Sequence, residues 1–346
     1  MRLKDASAFN IQFSAGRPIL IDSLSFERAD ITEPWPAYRQ FCEHFLAPLA
    51  LIAYRDARCG LLLRDFIDGI PLDFAARLMP GRTRLRLGLG AHLHLHARAQ
   101  RRGEETEASA RKGRVSELGQ RALLDSLRGT VARLRWQEGE STWSDYATHT
   151  SYSDEATASK RAIVQRLLEA AGGESVWDLG ANTGVFSRLA ADLGRSVIAF
   201  DQDALSVERN WHQLRTDGVS TVLPLVLDLT NPSPALGWAL EERRSLVERG
   251  PADVAMALAL VHHLAIGRNV PLPMLGAFFA RLSRKLIVEF VPKEDPMTRR
   301  LLAARRDVFP DYTLDAFRAA FGADWSTREE APIRDSSRVL FLMERR

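Results

Sequence analysis

Val176-Trp177-Asp178-Leu179-Gly180-Ala181-Asn182-Thr183-Gly184-Val185-Phe186-Ser187-Arg188-Leu189-Ala190 reads as a short buried strand ending in an acid, a glycine-bounded loop and the first turns of a helix. Glycine tolerates positive φ and lets a backbone approach a ligand closely, and a helix start offers unpaired N–H groups to an anion. A nucleotide-like ligand is the first expectation. The flanking sequence decides which kind.

Downstream, apolar runs at 197–200, 221–227, 254–260 and 286–290 read as strands, with helix-like segments between them. That alternation predicts an α/β, Rossmann-like doubly wound sheet. The tail breaks the pattern. A helix at 312–321 is followed by strands at 325–329 and 338–343 with no full crossover between them. This fits a hairpin insertion, giving a seven-stranded sheet with one antiparallel strand. Upstream, Ser153 and Asp154 suit the cap of a helix with Ala158, Ile163, Val164, Leu167 and Leu168 on one face, ended by Gly172-Gly173.

Over residues 150–346 these features resemble the class I S-adenosylmethionine-dependent methyltransferases. The family's first motif stands here as Asp178, Gly180, Asn182 and Gly184, with asparagine in place of the middle glycine. Asparagine tolerates left-handed geometry better than other non-glycine residues. The resemblance implies S-adenosyl-L-methionine as cofactor, held by these four residues. It also implies Asp201, ending the second strand, on the ribose hydroxyls, and Asp228, ending the third, near the adenine amino group. Asp228 reads equally well as a turn residue leading into Asn231-Pro232. An NAD-dependent dehydrogenase is the rival, since Asp201 suits either nucleoside, but its Gly-x-Gly-x-x-Gly loop is not what this sequence carries.

The fourth strand ends in Val261-His262-His263-Leu264. Ligands in open parallel sheets bind beyond the carboxyl ends of the strands, which puts this pair by the methyl group. A neutral imidazole can take a proton from an attacking hydroxyl or amine, with His263 preferred over His262; a histidine here can also merely shape the pocket. Glu289, ending the fifth strand, is a further candidate to bind or deprotonate substrate. Its alternative is a salt bridge to Arg299 or Arg300. Asn231-Pro232-Ser233-Pro234 resembles the Asn-Pro-Pro-aromatic box of amino-methylating enzymes, but it follows the third strand and lacks the aromatic residue, so it reads as a turn. Trp143, Tyr146 and Tyr152 precede the sheet as a lid or as packing. The run from Asn231 to Trp238, with Glu241, Arg243, Arg244 and the stretch Glu289-Phe290-Val291-Pro292-Lys293, also resembles a bacterial subgroup related to the nodulation protein NoeA.

Residues 1–148 read as a separate, mainly helical domain for acceptor recognition, and residues 149–346 as the methyltransferase domain. Asp5, Asn10 and Asp22, around a hairpin at Gly16, resemble the catalytic loop and metal-binding acid of kinase-like enzymes. Only four residues precede Asp5, too few for a glycine-rich loop or a strand lysine. The expectation is a remnant hairpin, with a natural start upstream of Met1 left open. The segment 35–54 predicts a packing helix broken or kinked by Pro48. His92, His94 and His96 read as a helix face or surface patch rather than a metal site, because His94 would point away from the other two. Residues 98–114 read as a polar linker. Leu118, Leu123, Leu124, Leu127, Val131 and Leu134 form one face of a helix before a boundary near 138–144.

The 346 residues carry 47 basic and 44 acidic side chains, for a net charge of +3. The signs are interspersed, so nucleic-acid binding is permitted but not argued. No apolar run approaches the roughly 18 residues of a membrane helix. Cys42 and Cys59 have neither metal nor disulfide-framework spacing, and the expectation is a cytoplasmic protein with reduced thiols. The sequence thus points to a methyltransferase using S-adenosyl-L-methionine, no metal and no membrane. A small molecule or glycan is the favoured acceptor, protein and RNA are left open, and the oligomeric state is unspecified. A non-catalytic S-adenosylmethionine-binding protein is the alternative.

Overall fold

Strands rich in apolar residues on both faces need cover on both sides, and the C-terminal half of the chain supplies it. The computed structural model describes residues 1–101, 115–136, 153–303 and 306–346. The chain divides into two units, Met1–Glu138 and Gly139–Arg346. Trp143, Tyr146, Tyr152, the expected boundary at 138–144 and most of the polar 98–114 segment lie outside the described residues.

In the second unit the strands are β1 (Ser175–Leu179), β2 (Ser196–Asp201), β3 (Val222–Val226), β4 (Ala252–Ala257), β5 (Ser283–Phe290), β6 (Trp325–Pro332) and β7 (Val339–Arg345). They form one sheet in the order β6-β7-β5-β4-β1-β2-β3. β7 runs antiparallel to both β5 and β6, while the pairs among β1 to β5 are parallel. The helices are α1 (Asp154–Ala171), α2 (Val185–Asp192), α3 (Ala204–Asp217), α4 (Leu272–Leu282), α5 (Pro296–Ala303) and α6 (Leu314–Phe321). Side chains alternate along each strand, so β4 sends Ala255 and Ala257 into a core with Phe279, Phe317 and Phe321. It sends Val254 and Met256 into the other, with Val164, Leu168 and Leu189.

Ser153 caps α1 by accepting from the Ala156 N–H. The buried stripe of α1 is Ala156, Lys160, Val164, Leu167, Leu168 and Ala171; Ala158, expected on it, is exposed. Lys160 therefore occupies an apolar position. Its Nζ donates to Glu289 Oε2 at 2.6 Å, and Arg338 Nη1 lies 3.3 Å from Glu289 Oε1. Arg338 also donates to both oxygens of Asp295, at 2.7 and 3.0 Å, and Asp295 Oδ1 accepts from the Met297 N–H at the start of α5. The partners of Glu289 are thus Lys160 and Arg338, whereas Arg299 and Arg300 are exposed.

The first unit is mainly helical, with two short strand pairs: Arg2–Leu3 with Phe26–Glu27, and the hairpin Ile11–Ser14 with Arg17–Leu20. The helix around Pro48 is interrupted by a π-turn at Cys42–Leu46, directly before Ala47–Tyr54. Proline has no N–H to donate and its ring crowds the carbonyl four residues back, which favours such a wider turn there. A second π-turn, Gly90–Leu95, carries His92 and His94 and leads into His96. All three are buried, not a surface patch. His92 bonds Tyr38 Oη and Ser126 Oγ, each at 2.8 Å, His94 bonds Thr83 Oγ1 at 2.8 Å, and His96 stacks on Tyr38. On the helix Glu117–Arg133, Leu127 is buried but Leu118 and Leu124 are exposed. Cys42 and Cys59 are free thiols. Among the described residues no helix is long and apolar enough to cross a membrane.

Removing one partner of a buried ion pair strands the other charge, at a cost of about 3–5 kcal/mol. Glu289→Ala is therefore expected to lower the unfolding free energy by about that amount, measured by urea denaturation. A loss below about 1 kcal/mol, the value of a surface pair, would remove the network from the structural account.

Candidate functional site

The loop after β1 turns by three left-handed residues: Gly180 at φ 76°, Asn182 at φ 49° and Gly184 at φ 74°. The N–H groups of Gly180 and Ala181 donate to the Phe200 carbonyl at 2.8 and 2.9 Å, which ties the loop to the end of β2. Asn182 N–H donates to Asp201 Oδ2 at 2.8 Å, and Asp203 N–H to Asp201 Oδ1 at 2.8 Å. A Cβ on Gly184 would overlap the Asn210 amide, and one on Gly180 would stand 3.1 Å from Leu260 Cδ1. Gly184 is thus restricted by space as well as by φ, and Gly180 chiefly by φ.

Beyond the carboxyl ends of β1 to β4, where the strand order reverses, lies a cavity of about 440 Å³. Gly180, Asn182, Asp201, Asp228 and His263 line it together. Asp178, Gly184, His262 and Glu289 do not. Gln202, Leu258, Leu260, Arg268 and Leu301 line it as well, and sequence reasoning did not single them out. Gln202 adjoins Asp201 and could have been found from it. Arg268 and Leu301 arrive through the π-turn His263–Gly267 and through α5, and nothing local in the sequence marks them.

Burial raises the pKa of Asp201, an effect opposed by the N–H groups of Asp203 and Asn182. Those two bonds use part of a carboxylate's roughly four acceptor sites, so each oxygen can still accept from a ligand hydroxyl. Asp228 Oδ1 accepts from Thr230 N–H at 2.8 Å and Thr230 Oγ1 at 2.7 Å. It is at once the turn residue and part of the cavity wall. Asp178 is buried, accepts from Ser187 Oγ at 2.6 Å, and is pushed up to about 6, chiefly by burial.

His262 and His263 have ring centroids 4.0 Å apart. Burial, and then the nearby Arg338, lower His263 to about 4. His262 is fully buried and held well below its ordinary value by burial, then by His263, Arg338 and Lys160. Both rings are neutral at neutral pH. Glu289 has no exposure and is paired as described, which separates it from the cavity-lining groups.

In the first unit, Asp5, Asn10 and Asp22 do come together. Asn10 Nδ2 donates to Asp5 Oδ2 at 3.1 Å and to Ser25 Oγ at 3.4 Å, and Ser25 Oγ donates to Asp22 Oδ2 at 2.6 Å. Gln40 Nε2 also donates to Asp5 Oδ1 at 2.7 Å. Among the described residues no group of three or more His, Cys, Asp or Glu is arranged to hold a metal ion. The kinase-like resemblance gains nothing further.

The sheet order, the antiparallel β7 and the acid-to-glycine loop at the switch point define the class I methyltransferase fold. No protein-family model matches the chain. It is 35% identical over 349 residues to nodulation protein NoeA of Rhizobium meliloti (strain 1021), covering 99% of this chain and 73% of that protein. The chain belongs to the NoeA family.

Similar solved structures include magnesium protoporphyrin IX methyltransferase (ChlM) from Synechocystis PCC 6803 with bound SAM, 16% identical over 61% of this chain and 88% of that one, TM-score 0.40. N-methyltransferase NodS from Bradyrhizobium japonicum WM9 is 11% identical over 56% of this chain and 98% of that one, TM-score 0.40. The bifunctional kinase-methyltransferase WbdD is 16% identical over 58% of this chain, TM-score 0.39, and the match spans only 41% of WbdD.

The protonation of Asp178 is testable. Its folded-state pKa of about 6 lies above the unfolded value near 3.9, so its stabilising contribution is present below pH 4 and is lost as pH rises through 6. Asp178→Asn keeps an acceptor for Ser187 and does not ionise. Its stability relative to the wild type should rise by about 2 kcal/mol between pH 4 and pH 7. A pH-independent difference in denaturation free energy would sink the assignment.

Proposed function

We propose that the chain binds S-adenosyl-L-methionine in the cavity at the β1/β4 switch point and transfers its methyl group to an acceptor. The observation that carries this reading is one cavity lined by the left-handed loop, by Asp201 and Asp228 at one end, and by His263. Its volume falls within the roughly 300–1,000 Å³ usual for small-ligand pockets. Asp201 has acceptor sites left for ribose hydroxyls, Gly180 leaves room for the nucleoside, and Asp228 has its Oδ2 for the base amino group. Asp178, out of the cavity, acts as a positioning residue: it holds Ser187 in the first turn of α2 and so the loop before it.

When bound, the donor supplies an activated methyl group and a neutral thioether leaving group. The chain's own task is then to align the acceptor and exclude water, which is worth up to about 7 kcal/mol or more in favourable cases. His263, neutral above about pH 4, can take the proton that a hydroxyl or amine acceptor gives up. Glu289 is assigned to the structural network. The N-terminal unit, residues 1–148 in the sequence reading, is assigned to acceptor recognition, with a small molecule or glycan as the acceptor class.

Calorimetry with S-adenosylhomocysteine should give saturable heat, and NAD none; the opposite result would transfer the site to a dehydrogenase. Hydrogen bonds to a charged group are worth about 1.5–3 kcal/mol each, so Asp201→Ala should weaken S-adenosylhomocysteine at least tenfold. Label from methyl-labelled donor should pass to a component of cell extract with the wild type and not with Asp201→Ala. Binding without transfer would leave a non-catalytic binder.

A further inference from the structure

Two buried hydrogen-bonding side chains stand directly behind the cavity wall without a partner. Neither ring nitrogen of His262 is bonded, nor is Thr298 Oγ1, and both residues have no exposure. His262 adjoins His263, and Thr298 lies one turn before Leu301 on the same face of α5; His263 and Leu301 line the cavity. α5 packs against the π-turn His263–Gly267. The two unsatisfied groups therefore sit where the cavity would extend if α5 moved off that turn.

Thr298 is the only fully buried residue of α5, with Leu301 and Leu302 partly buried against the core, so the inward side of the helix carries an unsatisfied hydroxyl among its apolar contacts. Burying an unbonded polar group is unfavourable, and the penalty is relieved when a ligand supplies the missing bond.

The surroundings select the ligand's charge. Lys160 and Arg338 are each bonded to carboxylates, those of Glu289 and Asp295, so two cations are matched by two anions. That network leaves no net counter-charge of its own for a phosphate, a carboxylate or an ammonium, and desolvating such a group uncompensated is costly; Arg268, the cation on the cavity wall, bonds Gln202. A neutral imidazole and a threonine hydroxyl each offer one donor and one acceptor, which is the complement of an alcohol.

We propose that the acceptor is a neutral, hydroxyl-bearing molecule whose hydroxyl is held between His262 and Thr298, in a subsite that opens from the cavity when α5 shifts off the His263–Gly267 turn. This rests on the methyl-transfer reading and names its acceptor class. The hydroxyl then lies beside His263, on the side of the cavity away from Asp201 and Asp228.

The test is a titration of the full chain, labelled with ¹⁵N-histidine and saturated with S-adenosylhomocysteine, followed through the His262 ring nitrogens; these are assigned by their loss in His262→Phe. 1,2-Propanediol should shift them saturably, and sodium acetate and methylammonium chloride should not. Thr298→Val, which removes an unbonded hydroxyl without changing shape, should keep the thermal midpoint at or above wild type and weaken the diol at least tenfold. No saturable shift with diol, an equal shift with acetate or methylammonium, or an unchanged diol affinity in Thr298→Val would each overturn the proposal. Repeating the diol titration without S-adenosylhomocysteine separates the two claims. A failure of the nucleoside to bind in calorimetry removes the donor reading, while the His262 response alone decides the subsite.

Discussion

Glu289 between Lys160 and Arg338 is the interaction on which the second unit depends. Each of these ions lost its water on folding, a penalty of several kcal/mol per ion that only close, multiply bonded geometry offsets. The bonds come from α1, from the end of β5 and from the residue that precedes β7. Since Leu340 pairs with Glu289 across the β7–β5 ladder, a slip of one residue would turn Arg338 to the other face of the sheet, leaving Asp295 unmatched and Glu289 with Lys160 alone. The antiparallel insertion of β7 is therefore fixed by charge as well as by the apolar alternation around Phe341 and Met343.

The same network gives the cavity two unlike ends. At the β2 and β3 ends stand Asp201, Asp203 and Asp228, which present carboxylate acceptors to hydroxyl and amino donors. At the β4 end stands His263, with His262 behind it and Arg338 close enough to disfavour protonation of both. A histidine placed near a matched cation stays a neutral acceptor of protons down to acidic pH. Had Glu289 faced the cavity instead, its charge would favour the imidazolium and remove that capacity.

How much of this was legible in the sequence follows from whether each signal is local. The β1 strand, its loop, Asp201 and the strand that ends at the histidine pair are each written in under ten consecutive residues, and the sheet follows from their repetition. Glu289 was legible as a special residue but not as a network member, because Lys160 and Arg338 are 129 and 49 residues away. One clue was present: a lysine at the fourth position after Ala156 and the fourth before Val164 interrupts an apolar stripe, which a solvated lysine has no reason to do. The three N-terminal histidines were legible as to face but not as to burial: His92 and His96 share Tyr38 while His94 turns to Thr83, as their spacing implies, and neighbouring segments cover both faces.

Asn182 departs from the glycine of the methyltransferase motif, and the surrounding bonds show why the loop survives it. The position needs φ near 50°, which costs most L-residues about 1–2 kcal/mol. Asparagine recovers part of that through its own side chain: Oδ1 accepts from the Thr183 N–H at 2.8 Å, a bond glycine cannot make. Asparagine also has less backbone freedom to lose on folding than glycine does. Its N–H is held by Asp201, so the carboxylate is already oriented by the loop, and the loop by the carboxylate. A ligand that bonds Asp201 meets a site whose ordering has been done by folding, and loses correspondingly less entropy on binding.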